Sequence, residues 1–324
     1  MGVRVAPGRP ELCRRRNDGD RSSKVESRIV IPVVVGSSPI GHPNSPAPRR
    51  ARKWVAPARG EFSSAPAAFR AVCDAALRQI EANAAGFLRS QDPEFLHQLR
   101  VGMRRLRAAL RVFRPVLARR PARALARKLA RFSPSLGAAR DWDVFCAWLA
   151  GRRNLSQAAL AMQAAARRDA RGAVSSRKFQ RMIEAARELA VRGVQEAPMP
   201  ALARRALDKA HLRALKKARR MGWEDEAERH LLRIRVKRLR YGCEYFEPCF
   251  RASRSAYVAR LKELQDLLGE LNDMAVAQQL LRALRDAPAT LRSRILARER
   301  ELLSALPAAW ARFERQRPFW APRG

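Results

Sequence analysis

The chain has 324 residues and a formal net charge of +37, from 67 Lys and Arg against 30 Asp and Glu. At 47% hydrophobic residues it carries too much apolar material for a disordered polycation, and its scarce β-branched runs point away from a sheet protein and towards an all-α fold. A charge of this size calls for a polyanionic partner: nucleic acid, an anionic membrane surface or a polyphosphate.

Residues 1–62 hold eight prolines, many arginines and no helical period. They read as a disordered basic arm, or as an extension upstream from an early start codon. The apolar run IVIPVVV, Ile29 to Val35, contains Pro32 and falls far short of the ~20 residues a membrane span needs, so no span is expected. From about Ala65 the 3.6-residue period predicts helices over 66–88, 93–118, 121–135, 139–151, 155–170, 175–193, 200–220, 225–247, 252–271, 272–285 and 288–305. A helical domain is thus expected over 63–310, with a short tail at 311–324. Asp92 before Pro93 is an N-cap followed by proline at the first helical position. The five cysteines lack CxxC spacing, and Cys73, Cys146 and Cys243 sit in helical apolar patterns. They read as buried, reduced thiols of a cytoplasmic protein, and no zinc site or other cofactor is expected.

Between Glu94 and Asp141 there is no carboxylate at all, while Arg100, Arg104, Arg105, Arg107, Arg111, Arg114 and seven further cations fall in the same stretch. Like charges at i,i+4 destabilise a helix by a few tenths of a kcal/mol per pair, so this density needs an anion to account for it. The tract is also half of an internal repeat. HQLRVGMRRLRAALRVFRP, from His97, recurs as HLLRIRVKRLRYGCEYFEP, from His230. His97, Arg100, Arg105, Arg107 and Phe113 return as His230, Arg233, Arg238, Arg240 and Phe246, and Arg104 returns as Lys237. Further on, SLGAARDWDV, from Ser135, aligns with LLGELNDMAV, from Leu267, pairing Asp141 with Asp273. The repeats cover about 63–195 and 199–310. Two pseudo-symmetric helical bundles follow, with a basic cleft or channel between them.

Taking His97 as zero at 100° per residue, Arg100, Arg104, Arg107 and Arg111 fall between about −80° and −20°, a single stripe about 21 Å long. Leu99, Met103, Leu106, Leu110 and Phe113 fall between about 160° and 240°, an apolar face separate from the stripe but adjoining it. Arg105 points elsewhere, near about +80°. In the second copy His230, Arg233, Lys237 and Arg240 repeat the stripe, but Glu244 stands where Arg111 would be. A guanidinium fork binds two oxygens at once and lysine adds a point charge. A histidine can donate one hydrogen bond and is favoured in its charged form by an anion. Cations at helical steps match a linear polyanion better than a single small anion. His42 and His211 lack this recurrence and are left out of the site. Asp141 and Asp273 read as groups that cap or orient helices or hold a nearby arginine, in preference to metal ligands.

The paired HxxRxxxRRLR and LGxxxD motifs resemble the CHAD domain, the conserved histidine α-helical domain, over approximately residues 62–310. The resemblance implies two helical bundles around a basic channel and binding of inorganic polyphosphate, often at cellular polyphosphate granules. It implies His97, Arg100, Arg104, Arg107 and Arg111 as ligands in the first copy and His230, Arg233, Lys237 and Arg240 in the second. Arg105 and Arg238 match the pattern as well. Some relatives carry a triphosphate-hydrolysing CYTH domain, whose ExExK strand is missing from this sequence. A non-catalytic polyphosphate binder is therefore the leading expectation, with the oligomeric state open. One alternative is a nucleic-acid binder, against which stands the near absence of Asn, Gln and aromatic residues from the stripes. The other is a metal-assisted phosphatase using His97, His230, Asp141 and Asp273.

Overall fold

The computed structural model describes residues 50–150, 157–250, 254–284 and 289–321. Nine α-helices make up almost all of them: α1 (Ala65–Arg89), α2 (Pro93–Val112), α3 (Arg119–Ala150), α4 (Gln157–Ser175), α5 (Arg177–Arg192), α6 (Met199–Ala218), α7 (Glu226–Phe246), α8 (Ser255–Arg282) and α9 (Ala289–Glu314). Among the described residues an isolated bridge between Leu117 and Val194 is the sole β pairing, so the expected all-α class holds. The starts are written locally. Asp92 accepts from the Glu94 amide at 2.8 Å ahead of Pro93, and Asp225 accepts from the Glu228 amide at 3.0 Å at the head of α7.

Leu99, Met103, Leu106, Leu110 and Phe113, the apolar side of α2, are buried at 6% exposure or less. The side packs on α1, where backbones come close: a Cβ at Gly102 would lie 2.8 Å from an Ile80 side-chain carbon, which only glycine avoids. Helices α1 to α5 pack among themselves, as do α6 to α9 along the chain, and the two groups meet through α2 against α7 and α3 against α8. Phe113 and Phe246, the phenylalanines that recur in the two motifs, face each other across the first contact at 5.2 Å. Trp142, Phe145 and Leu149 of α3 join Ala277 and Leu281 of α8 and Ile295 of α9 in a smaller core at the second.

Several boundaries differ from the periodic reading. Helix α3 runs unbroken through Pro134, where a break was expected. Leu125, Leu129 and Phe132 before the proline, and Leu136, Ala139 and Trp142 after it, are buried on one face. That continuous burial offsets the roughly 3 kcal/mol an internal proline costs. Likewise Leu264, Leu268, Leu271 and Ala275 continue a single helix through the break expected at 271/272. The tail from 311 is also more than a tail. Trp320 is buried, donates to the Asp208 carboxylate at 2.7 Å and stands edge-on to Tyr257 at 5.0 Å. His211 belongs to the same aromatic cluster, its Nδ1 2.8 Å from the Tyr257 hydroxyl.

The arm needs the largest correction. Residues 1–49 lie outside the described residues, but 50–62 pack onto the helices. The Arg52 amide donates to Asn83 Oδ1 at 3.0 Å and its carbonyl accepts from Asn83 Nδ2 at 2.8 Å. Trp54 stacks over the Arg105 guanidinium at 4.3 Å and against Tyr245 at 5.9 Å. Arg59 donates to the carbonyls of Pro248 and Phe250 at 3.1 and 2.8 Å, and Phe62 is buried. This strap bridges both helix groups, although it has no periodic apolar face that would mark it in sequence. Cys73, Cys146 and Cys243 are buried free thiols as expected, and burial pushes Cys73 up to about 12. Cys13 lies outside the described residues.

The strap makes the chain's N-terminal boundary testable. A chain beginning at Arg50 is expected to melt like the full chain. One beginning at Glu61, or carrying Trp54→Ala, should lose roughly 2 kcal/mol, less than a fully buried aromatic because Trp54 is only partly buried. Thermal unfolding should show that loss as about 4–8 °C, and coincident melting curves would refute the docking.

Candidate anion-binding cleft

The α2–α7 contact brings the two basic stripes together, but not along their whole length. His97, Arg100 and Arg104 on α2, and Arg233 and Lys237 on α7, lie half-buried where the helices meet. Arg107 and Arg111 are exposed farther along α2. From α3 come Arg140 and Asp141, and from α8 Asn272 and Asp273. The motif LGxxxD is what delivers them. Arg100 donates to the Leu136 carbonyl, and a Cβ at Gly137 would lie 3.2 Å from that same guanidinium nitrogen. Glycine therefore lets Arg100 lie flat against α3. In the second copy Arg233 donates to Asn272 Oδ1 at 3.0 Å, and His230 Nδ1 is 3.3 Å from the same oxygen.

The electrostatics record how closely these groups are gathered. Burial, then the charges of Arg233 and Arg104, hold the Lys237 ammonium down at about 6, with Asp273 acting in the opposite sense. Burial, then Arg140, Arg104 and Arg100, hold His97 at about 3, so its ring is neutral at pH 7. Burial brings even Arg100 to about 10, against the pull of Asp141. Asp141 is raised by burial and held back chiefly by Arg100. Asp273 keeps one side open to solvent; the protein around the rest of it raises its carboxyl, and Arg233 restrains that rise. Three N–H groups here are buried without a hydrogen-bond partner in the protein: Arg104 Nε, Arg233 Nε and Arg140 Nη1. Buried donors are ordinarily satisfied, so a cluster of unsatisfied cationic donors is a place that an anion fits.

The remaining expected ligands are placed otherwise. Arg105, counted with the ligands in sequence, is 7% exposed and turned away from the cleft. Its Nη1 meets Glu244 Oε2 at 2.5 Å, its carbonyl accepts from the Tyr245 hydroxyl at 2.9 Å, and its guanidinium lies between Trp54 and Tyr241. It is a strut between α2 and α7. Arg240 is engaged by Glu244 at 2.6 Å and Gln265 at 2.8 Å. His230 is exposed at the edge, and Arg238 faces Arg111 and Arg107 outside the cleft. Among the described residues no three His, Cys, Asp or Glu side chains are grouped to hold a metal, so His97, His230, Asp141 and Asp273 form no such set. Sequence reasoning missed Arg140. It occupies the position of Asn272 in the other copy, so recurrence alone does not reveal it, but its place directly before the repeated aspartate would have.

Residues 71–282 match the model of a family described as the CHAD domain. The crystal structure of the CHAD domain from the plant Ricinus communis is similar at a TM-score of 0.65 and 31% identity, covering 85% of this chain and 98% of that one. PptA from Streptomyces chartreusis is similar in fold, at a TM-score of 0.52 and 18% identity over 80% of this chain and 98% of that one. No curated protein matches the chain.

The depressed Lys237 sets a pH dependence. Its folded value of about 6 lies below the ordinary 10.5, so between the two the unfolded chain binds more protons and the empty protein gains stability as pH rises. An anion in the cleft favours the charged amine, so binding at pH 7.5 should take up protons, and the affinity should rise as pH falls towards 6. Calorimetry in buffers of different ionisation heat measures the uptake, which should largely vanish in Lys237→Met. Equal uptake in both proteins would refute the assignment.

Proposed function

The chain belongs to the CHAD domain family, and we propose that it binds inorganic polyphosphate in the cleft between α2 and α7 without chemically altering it. The observation that carries this reading is the set of unpartnered N–H groups on Arg104, Arg140 and Arg233 beside Lys237, with Arg100 at the same crossing. These groups come from three helices and gather at one crossing, a density of cations that suits a chain of phosphates. Duplex nucleic acid presents its phosphates on the outside of a wide cylinder and needs a broad open face. His97, neutral in the empty cleft, offers one ring nitrogen as donor. Asp141 and Asp273 keep the arginines ordered while the cleft is empty, and their charge opposes any anion placed against them. We assign them to positioning, not to ligation. A cellular address at polyphosphate granules follows from the same reading. Among the described residues no helix is long and apolar enough to cross a membrane.

Two measurements test the proposal. Affinity for polyphosphate should fall steeply with salt, because each neutralised cation releases counterions. A log–log slope near zero would exclude the mechanism. Arg104→Ala and Lys237→Ala should each weaken binding of one chain per protein by roughly 1–3 kcal/mol with helix content intact. Two independent sites, each lost in only one variant, would refute a shared cleft, and preference for duplex DNA at equal phosphate concentration would favour a nucleic-acid binder.

A further inference from the structure

The cleft takes Arg140 and Asp141 from the second half of α3. The first half of that helix carries a row of cations of its own. Its core face is Leu125, Leu129 and Phe132, all buried. Measured from Leu125 at 100° per residue, Arg119, Arg120, Arg123, Arg127 and Arg131 fall between about 120° and 240°, on the side turned away from that core. All five are exposed, and the row is about 18 Å long. Its base is fixed against α5 and the turn after it. The Ala118 amide donates to the Gly193 carbonyl at 2.8 Å, Lys128 Nζ donates to the Arg181 carbonyl at 3.5 Å, and Phe132 stands edge-on to Phe179 at 5.3 Å.

The row works against the helix that carries it. Arg119 and Arg120 stand in the first turn, where the helix dipole favours a carboxylate and none is present. Arg119, Arg123, Arg127 and Arg131 follow at steps of four, so each repels the next. None of the five meets a carboxylate in an ion pair among the described residues. Neighbouring α5 shows what a solvated face of this protein looks like: exposed Arg177, Arg181 and Arg192 are interspersed with exposed Glu184 and Glu188. Exposed arginines elsewhere find partners, as Arg187 does in Glu81 at 2.6 Å and Arg298 in Glu270 at 2.6 Å. Mixed charge is thus the rule on the outer helices, and α3 departs from it.

We propose that the outer face of α3, from Arg119 to Arg131, is a second anion-binding surface, separate from the cleft, and that its occupant is duplex nucleic acid held through its phosphates. The row is exposed along its length, so a wide cylinder can lie against it. A duplex presents one phosphate per about 3.4 Å of axis on each strand, so about five phosphates of the nearer strand lie along the row, facing five arginines. A flexible chain laid on one open face would give up its freedom for contacts on one side alone, whereas a duplex holds its phosphates already in line. A membrane surface fits less well. Among the arginines the outer side offers Pro121, Ala122, Ala124, Ala126 and Ala130, with none of the large apolar side chains by which an interfacial helix enters a bilayer. The inference does not depend on what fills the cleft.

The test is the full chain with Arg119, Arg123, Arg127 and Arg131 each changed to Gln, its helix content checked by circular dichroism. The probe is a 20-base-pair DNA duplex titrated across a range of salt. The slope of log affinity against log salt should become shallower by about 3–4, and affinity at 0.1 M salt should fall by at least about 100-fold. Should the fourfold variant not fold, the pair Arg123→Gln and Arg127→Gln should give about half that change in slope. Tripolyphosphate, as a probe of the cleft, should bind the fourfold variant within about threefold of the wild type, because the exposed row acts on it through screened solvent. Lys237→Met should in turn leave the affinity for the duplex within about threefold. A wild type that does not bind the duplex, or variants of α3 that bind it with unchanged slope, would overturn the proposal. So would loss of duplex binding in Lys237→Met, which would put the duplex at the cleft. Binding that depends on the row but prefers phosphatidylserine vesicles or long-chain polyphosphate at equal charge would name a different occupant and overturn it too. Failure of tripolyphosphate to bind the wild type bears on the cleft alone, and duplex binding lost with the row would still support this surface.

Discussion

Two helices that each carry a row of cations repel one another, yet α2 and α7 cross in contact, and the functional geometry depends on what holds them there. Phe113 and Phe246 supply the apolar part of the contact. Arg105 supplies the polar part, with Glu244 opposite and the Tyr245 hydroxyl on its carbonyl. The side chains of this ion pair are only 8% and 12% exposed. An ion pair buried to that degree adds little net stability, since desolvation offsets most of the attraction. Its effect is on register: any sliding of α2 along α7 would strand a guanidinium against two aromatic rings with no carboxylate. With register fixed, Arg104 and Lys237 have nowhere to go but towards each other.

Much of this was legible in the sequence, for a physical reason. Helical period fixes which residues share a face of one helix, so the apolar side of α2 and the stripe from Arg100 to Arg111 could be read directly. It does not fix what lies opposite a face. Arg105 and Arg238 occupy the same position of the same motif; one is a buried strut and the other a half-buried residue with arginines for neighbours. The difference comes from Glu244 standing in place of an arginine, and sequence showed that substitution without showing its partner. Trp54 and Trp320 lay outside any period, and their roles depend on contacts with residues far away in the chain. The breaks expected at Pro134 and at 271/272 gave way to continuous buried faces, as tertiary packing commonly overrides local preference.

The cleft itself is costly to keep. Arg100, Arg104, Arg140 and Arg233 share it with a lysine driven towards neutrality and a histidine that stays neutral, opposed by Asp141 and Asp273 and, at Arg140, by Asp143 and Glu94. A sequence selected for stability alone would place more carboxylates there. The protein instead keeps unsatisfied donors at the crossing and concentrates its stabilising contacts around it, in the aromatic cluster at Tyr257, the small core at Trp142 and the strap over Arg105. Such separation of rigid surroundings from a strained centre is how binding sites come to have perturbed ionisation.

The two tryptophans that pin the ends of the described chain also constrain the order in which it assembles during synthesis. Trp54 emerges from the ribosome early, but Tyr245, against which it rests, is made about two hundred residues later. Asp208 must await Trp320, which is 112 residues further on. The helices of the first group can begin to pack while translation continues, as domains generally do. The crossing that faces Arg104 towards Lys237 cannot form until α7 has been made, more than a hundred residues after α2. A nascent chain of this protein is thus a polycation with no assembled cleft for most of its synthesis. In that interval its α2 arginines are open to any polyanion nearby, including the RNA of the machine that makes it.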